Sequence, residues 1–417
     1  MGGTAQPRPA PVNRDVLTAP ASPTVHVTPS QLPASGSFNV SGNMIVGPGG
    51  QQFVPYGVVV ECLAEHTTDI TKLCAGPASG VSAGALVRAN TGAAIVTAAA
   101  QGWNANIIRF QVSQENLFSG PNGSVNPTYV DLVDSFVTQT NRLGMVATIT
   151  LQEEDQHGYA YPTESSVLFW QYMASHYKSS PGVFFDLYNE PQLPTTVAGS
   201  EDNVWNIWQH GGNALSVQDG VHGVLGTSDI AYVGMQTLVN TVRAQGANNI
   251  VIAEGPHYDQ DLTELTSHYL TGSNIAYGTE PNLASNKILP GNDRTMAEQY
   301  VRFGQYIKAV PIIPEAFLDN YGTRSCDPNS PTDVPALLQY LKSLDMGLIF
   351  YSLEPGLAIV GSNLSEPTSY GTATSIASSL CPTQGGNQQL VTNTIGPGAQ
   401  FLAYFTANSQ KALPIGP

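Results

Sequence analysis

The sequence predicts an α/β protein, a single (β/α)8 TIM barrel with a small N-terminal β-hairpin. Three observations carry that expectation. Eight short apolar runs recur between Val54 and Tyr351, separated mostly by amphipathic or alanine-rich segments of helical length. Several runs are apolar at nearly every position, as in strands of a parallel sheet covered on both faces. No GxGxxG or GxxxxGK[ST] loop follows any of them, which weighs against an open, doubly wound sheet. A chain of 417 residues could hold two average domains, but barrels commonly run this long as one.

The elements follow in order. Residues 1–35 are rich in Pro, Ala, Thr and Ser, a linker-like composition, and leave 36–417 as the barrel domain. Phe38–Val46 and Gln51–Val54, around Gly47-Pro48-Gly49-Gly50, form the hairpin. Val54–Val60 is strand one and Gly84–Gln101 its helix; Ile107–Val112 is strand two. Thr128–Leu143 carries Val130, Val133, Phe136 and Val137 on one face and stops at Gly144. Met145–Leu151 is strand three, Ser165–Lys178 a helix and Val183–Tyr188 strand four. A helix is expected over Asp229–Gln245, with Asp229 near its N-cap and Gly246 past its end. Ile250–Ala253 is strand five, Asp261–Leu270 a helix, Ile275–Tyr277 strand six, Thr295–Lys308 a helix and Pro311–Ile313 strand seven. Val334–Asp345, Gly347–Tyr351 and Ala399–Asn408 supply a helix, strand eight and the closing helix.

Composition narrows the function. Charged residues are only 11% of the chain and the net charge is −16, which disfavours nucleic acid or an anionic membrane as partner and suits a neutral substrate. No run of about 18 apolar residues is present for a membrane span. The expectation is a secreted monomer whose signal peptide is absent from this sequence. Cys62, Cys74, Cys326 and Cys381 lack metal-ligand spacing. Two local disulfides, Cys62–Cys74 and Cys326–Cys381, are favoured over the other pairings and over four free thiols. Sequons begin at Asn39, Asn122 and Asn363.

The chemistry centres on Val183-Phe-Phe-Asp-Leu-Tyr-Asn-Glu-Pro191. Pro191 ends an apolar strand and should push Glu190 toward an extended backbone, so a carboxylate stands at the strand's C-terminal tip. That end of a barrel carries the chemistry. The rival reading, a Glu capping a following helix, is weakened by Pro191 and the irregular Gln192–Ser200. Pro311-Ile-Ile-Pro-Glu315 repeats the design. Strands four and seven face each other across a barrel mouth, and two carboxyls about 5 Å apart there would have the geometry of retaining glycoside hydrolysis. Arg109, the cation among these strand ends, could keep one of them ionised.

With those residues in place, the chain resembles glycoside hydrolase family 5 and its clan of (β/α)8 retaining enzymes. The resemblance runs from Phe38 to about Leu353. It includes Val54-Pro-Tyr-Gly-Val58, Gly102-Trp-Asn104 leading to Ile108-Arg-Phe110, Gly144-Met-Val146, Tyr188-Asn-Glu-Pro191, Val242-Arg-Ala244 leading to Ile250-Val-Ile252, and the strand-seven glutamate. It implies Glu190 as acid/base, Glu315 as nucleophile, Asn189 as ligand of a sugar 2-hydroxyl and Arg109 as positioning residue, with no cofactor. The chain departs from the family where strand three usually ends Asp-x-His (here Thr150-Leu-Gln152). It departs again where strand six usually carries His-x-Tyr (here Glu280 and Asn282), and where a strand-eight Trp floors the sugar site (here Tyr351). A divergent subfamily acting on a β-linked glucan- or mannan-type oligo- or polysaccharide is expected.

Further candidate substrate contacts are Gln152, Glu280, Tyr351, His257, Tyr258, Trp205 and Trp208. Glu280 reads equally as a strand-end salt bridge, His257 and Tyr258 as ordinary loop residues, and the two tryptophans equally as a sugar-stacking wall or as packing of the segment after strand four. Trp103 and Trp170 are expected to pack. Glu153-Glu-Asp155-x-His157 matches no zinc or EF-hand spacing and reads as a solvated loop at the cleft rim; Asp327-Pro-Asn329 with Asp333 gives a faint calcium hint, and no metal is expected. A metal-assisted hydrolase and a non-catalytic carbohydrate-binding barrel remain the alternatives.

Overall fold

The computed structural model describes residues 37–65, 69–75, 91–152, 161–217, 225–280, 309–315, 330–353, 360, 363–372 and 396–414. The predicted helix Thr295–Lys308, the first part of the predicted helix Gly84–Gln101, Cys326, Cys381, Glu153–His157, Asp327–Asn329 and Glu354 lie outside the described residues.

Eight parallel strands form the barrel: β4 (Tyr56–Val60), β5 (Ile107–Val112), β6 (Val146–Leu151), β7 (Val183–Asp186), β10 (Val251–Glu254), β11 (Ile275–Thr279), β12 (Ile312–Pro314) and β13 (Leu348–Phe350). Backbone pairing runs β12-β11-β10-β7-β6-β5-β4-β13, and β12 and β13 lie beside each other at the ends of that order, so the barrel is nearly closed. Helices sit between strands, among them Gly92–Gln101, Pro127–Arg142, Glu164–Tyr177, Met235–Ala244, Ser330–Ser343 and Gly398–Asn408. Asn126 caps the second of these, accepting from the amides of Thr128 and Tyr129, with Pro127 at the first helical position.

Alternation along each strand separates two cores. Ile108, Phe110, Ala147, Ile149, Phe185 and Ala253 face the helices, whereas Val59, Ile107, Val146, Phe184, Ile252, Ala276, Ile313 and Ile349 fill the barrel interior. The hairpin expected at the N-terminal edge is a three-stranded sheet of β1 (Asn39–Ser41), β2 (Met44–Val46) and β3 (Gln52–Phe53). Gly42, at φ +59°, turns the chain inside what the sequence reading took as one strand. This sheet plugs the barrel floor: Phe38 and Phe53 meet Phe184 edge-on, with centroids 5.1 and 5.9 Å away.

Two helices expected from the sequence are not formed as predicted. Over Asp229–Gln245 the helix is confined to Met235–Ala244. Residues Leu225–Val233 instead form β9, paired antiparallel with β8 (Gly211–Val217). Asp229 therefore lies in a strand, and the N-cap position belongs to Gly234. Over Asp261–Leu270 only the short turn Leu265–Ser267 is helical. Asp261 Oδ1 accepts from the Thr263 amide at 2.8 Å and its hydroxyl at 2.6 Å, a local turn that competes with a helical start. The predicted Cys62–Cys74 disulfide is present. The sequon asparagines Asn39, Asn122 and Asn363 are exposed.

Candidate active site

The inward positions that continue the barrel core become polar one step higher. After Ile107 comes Arg109, after Val146 come Thr148 and Thr150, after Phe184 comes Asp186, and after Ile252 comes Glu254, all fully buried. Strand parity therefore delivers a charged layer on top of an apolar one, at the C-terminal ends of the strands.

Arg109 is the centre of that layer. Its Nε donates to Asp186 Oδ2 at 3.0 Å and its Nη2 to Asn189 Oδ1 at 2.8 Å, and Nη2 also contacts the Glu254 carboxylate. Glu280 Oε1 lies 3.6 Å from Nη1, and Glu315 Oε2 lies 3.6 Å from Nε. Thr150 Oγ1 donates to Asp186 Oδ2 at 2.8 Å. Burial opposes the guanidinium's charge, but Glu254, Asp186, Glu315 and Glu280 together hold its pKa well above the ordinary value. The carboxyls respond oppositely. Glu315 is pushed well up, first by burial and then by Asp186, with Arg109 opposing. Glu254 is raised by burial against the pull of Arg109, and Glu280 by burial and then by Glu190. One cation cannot neutralise so many buried carboxylates, so protons must be shared among them, and the set titrates as a unit.

Glu190 joins the cluster through its backbone. Its amide donates to Glu254 Oε2 at 2.6 Å, and its carboxyl hydrogen-bonds that of Glu280. The expected extended backbone before Pro191 is not found: Glu190 has φ +46°. A hydrogen bond from its own N–H to the buried Glu254 carboxyl opposes the local preference. Asn189 is buried with Oδ1 committed to Arg109 and to Gln111 Nε2 at 3.3 Å, so its Nδ2 is the group it can offer a ligand.

The remaining candidates are distributed around the mouth. Gln152, at the tip of β6, is buried, and its Oε1 has no partner among the described residues. Tyr351, half-buried at the tip of β13, donates its hydroxyl to Glu61 at the tip of β4. His257 and Tyr258 are half-buried in a left-handed turn after β10. His257 Nε2 pairs with Glu201 Oε1 at 2.7 Å, and the Tyr258 amide donates to Pro191 O at 3.2 Å. Trp205 and Trp208 belong to the helix Glu201–His210 and are 0% and 1% exposed, which leaves no face for a sugar. Trp205 stacks on His268, and Trp208 Nε1 donates to Glu254 O at 2.7 Å. Of their two readings, the packing one fits. Trp103 and Trp170 are buried as expected.

Sequence reasoning passed over Asp186 and Asp259. Asp186 shares the parity of Phe184, a signal that was legible. Asp259 lay in what read as a polar loop, and no pattern marks it. Asp186, Glu254 and Glu315 each offer an oxygen within 4.8 Å of the others, a spacing a metal could bridge. Arg109 already contacts all three, so the protein itself supplies the positive charge at their centre.

A family model described as cellulase (glycosyl hydrolase family 5) matches residues 77–356, about two thirds of the chain. The chain belongs to glycosyl hydrolase family 5. It is accordingly a glycoside hydrolase. Among solved structures, a β-glucanase from Saccharophagus degradans in complex with cellotetraose is 16% identical, with a TM-score of 0.57 over 85% of this chain and 95% of that one. Cellulase Cel5C_n is 15% identical, with a TM-score of 0.55 over 90% and 93%. The catalytic domain of endoglucanase Cel5A from Thermobifida fusca is 12% identical, with a TM-score of 0.54 over 89% and 98%. At these identities the likeness is one of fold. No curated protein matches the sequence.

Proposed function

We propose that this family 5 enzyme hydrolyses a β-glucan with retention of configuration, using Glu315 as nucleophile and Glu190 as acid/base. One observation carries the reading. Glu190 and Glu315 come from the tips of β7 and β12, and both engage one buried network, Glu190 through Glu254 and Glu280, Glu315 through Arg109. In the first step a Glu315 oxygen attacks the anomeric carbon as the bond to the leaving oxygen breaks, and Glu190 gives that oxygen its proton. In the second, Glu190 takes a proton from water, the water oxygen bonds to the anomeric carbon and the bond to Glu315 breaks. Arg109, 3.6 Å from Glu315 Oε2, favours the ionised form that attacks. Asn189, Gln152, Glu280 and Tyr351 are the proposed substrate contacts, with His257 and Tyr258 at the rim. Family membership and the activities named for the similar structures, a β-glucanase, a cellulase and an endoglucanase, support β-glucan as substrate. The Cys62–Cys74 disulfide supports an extracellular setting, and no described helix is long and apolar enough to cross a membrane.

The test is turnover of aryl β-cellobiosides, β-glucan and β-mannan by the parent, Glu190→Ala and Glu315→Ala. The expected result is activity in the parent, reduced by roughly 10³-fold or more in both variants, with a 2-fluoro-glycoside trapped on the Glu315 peptide. Activity that survives both substitutions, or that a chelator abolishes, would overturn the reading in favour of another site or a metal-assisted hydrolase.

A further inference from the structure

We propose that Asp259 is a positioning residue for this reaction: as a neutral carboxylic acid it donates its Oδ2 proton to Glu315 and fixes which oxygen of Glu315 is left to attack. The proposal rests on the reading of Glu315 as nucleophile. Asp259 is 0% exposed, and its Oδ1 accepts from the Gly255 amide at 2.7 Å, while Oδ2 has no partner among the described residues. Neither oxygen of Glu315 accepts from an amide or hydroxyl among the described residues; its carboxyl hydrogen-bonds that of Glu254. The two side chains converge on Gly278: a Cβ there would lie 2.9 Å from Glu315 Oε2 and 3.3 Å from Asp259 Oδ2. Two ionised carboxylates so placed in a dry interior would repel, whereas one proton between them makes a hydrogen bond.

The surroundings decide where that proton sits. Glu315 faces Arg109, while the donor at Asp259 is an uncharged peptide N–H. The charged and titratable groups around Asp259 are Glu315 on the β12 side, Asp186 on β7, Glu254 on β10, Glu280 beyond β11 and Arg109 on β5. Burial and then Glu315 push the Asp259 carboxyl well above the usual range. Its backbone is fastened for the task. His257, Tyr258 and Asp259 have φ of 60°, 60° and 55°, a left-handed run that non-glycine residues rarely adopt. Asp259 O accepts from the Glu280 amide at 2.7 Å and Thr279 Oγ1 at 3.0 Å, and Thr279 O in turn accepts from the Glu315 amide at 2.7 Å. Closing the turn onto Gly255 uses only Oδ1 and leaves Oδ2, which lies with Glu315 Oε2 around Gly278, for another role.

The experiment compares Asp259→Ala and Asp259→Asn with the parent, using an aryl β-cellobioside and thermal melts. Alanine should lower kcat by roughly 10²-fold with KM little changed, and asparagine, a permanent donor, should recover about tenfold or more of that. The alkaline limb of kcat should move to higher pH in Asp259→Asn. An infrared difference spectrum of parent minus Asp259→Asn in D2O at neutral pH should show the C=O band of a protonated acid. An ionised carboxylate band there, or an asparagine variant as impaired as alanine with the parental pH profile, would overturn the proposal. The infrared result stands even if the parent turns over none of these glycosides, so failure of the functional reading and failure of this one are distinguishable.

Discussion

Gly278 is the smallest residue in the site and among the most constrained. Any side chain there would press on Glu315 Oε2 at 2.9 Å and on Glu254 Cγ at 3.0 Å. Gly278→Ala should therefore displace the Glu315 carboxylate, and misplacement on this scale costs about 10²-fold in rate. The check is kcat/KM on an aryl β-cellobioside beside a thermal melt: a large loss of activity in a protein that still melts cooperatively. Arg109 shows the complementary constraint. It is a buried cation that several buried acids contact directly, so its role is to make their burial tolerable as well as to orient them.

At the scale of elements, the helix Glu201–His210 is fastened to the barrel mouth at three points. Trp208 reaches the carbonyl of Glu254 at the tip of β10, Glu201 meets His257, and Gln209 Nε2 donates to Tyr269 O at 3.0 Å. Through Glu254, the first of these bears on the residue that holds the amide of Glu190. Trp208→Phe keeps most of the packing and removes the buried Nε1–H, leaving the Glu254 carbonyl short of one donor. The expected cost is about 1–3 kcal/mol in urea-induced unfolding, with a fall in kcat larger than any change in KM. The sequence announced these elements unevenly. Strands β5, β6 and β7 stood out as apolar runs, because a strand buried on both faces must be apolar almost throughout. The helix expected from Asp229 begins only at Met235, because Asp229–Val233 belongs to a strand whose pairing comes from a separate segment, Gly211–Val217.

For the whole molecule, the site sets a pH dependence of stability. Glu254, Asp259, Glu280 and Glu315 all have folded-state pKa values raised above the ordinary carboxylate values, with burial as the leading cause. Between the ordinary and the raised values the folded chain holds more protons than the unfolded one, so stability falls as pH rises through that window. It is fully present below about pH 4, the ordinary carboxylate range. The melting temperature should decline from mildly acidic to alkaline pH, and Glu254→Gln, which cannot ionise, should flatten the decline. A melting temperature that rises with pH in the parent would contradict this.

The barrel class, most strand positions and the two strand-tip glutamates were legible in the chain, because burial on both faces of a parallel sheet and a proline-terminated strand leave local marks. Asp186 could have been read from its parity with Phe184. Asp259 could not, since its position depends on a left-handed turn held by Pro191 and Glu280, residues remote in sequence. Nor could the fate of Trp205 and Trp208: a tryptophan on an amphipathic helix serves equally for sugar or for core, and only the surface that the helix docks against distinguishes them. Local sequence fixes what depends on periodicity. The sharing of one cation and a few protons among carboxyls from four strands depends on distances across the barrel, which arise only when it closes.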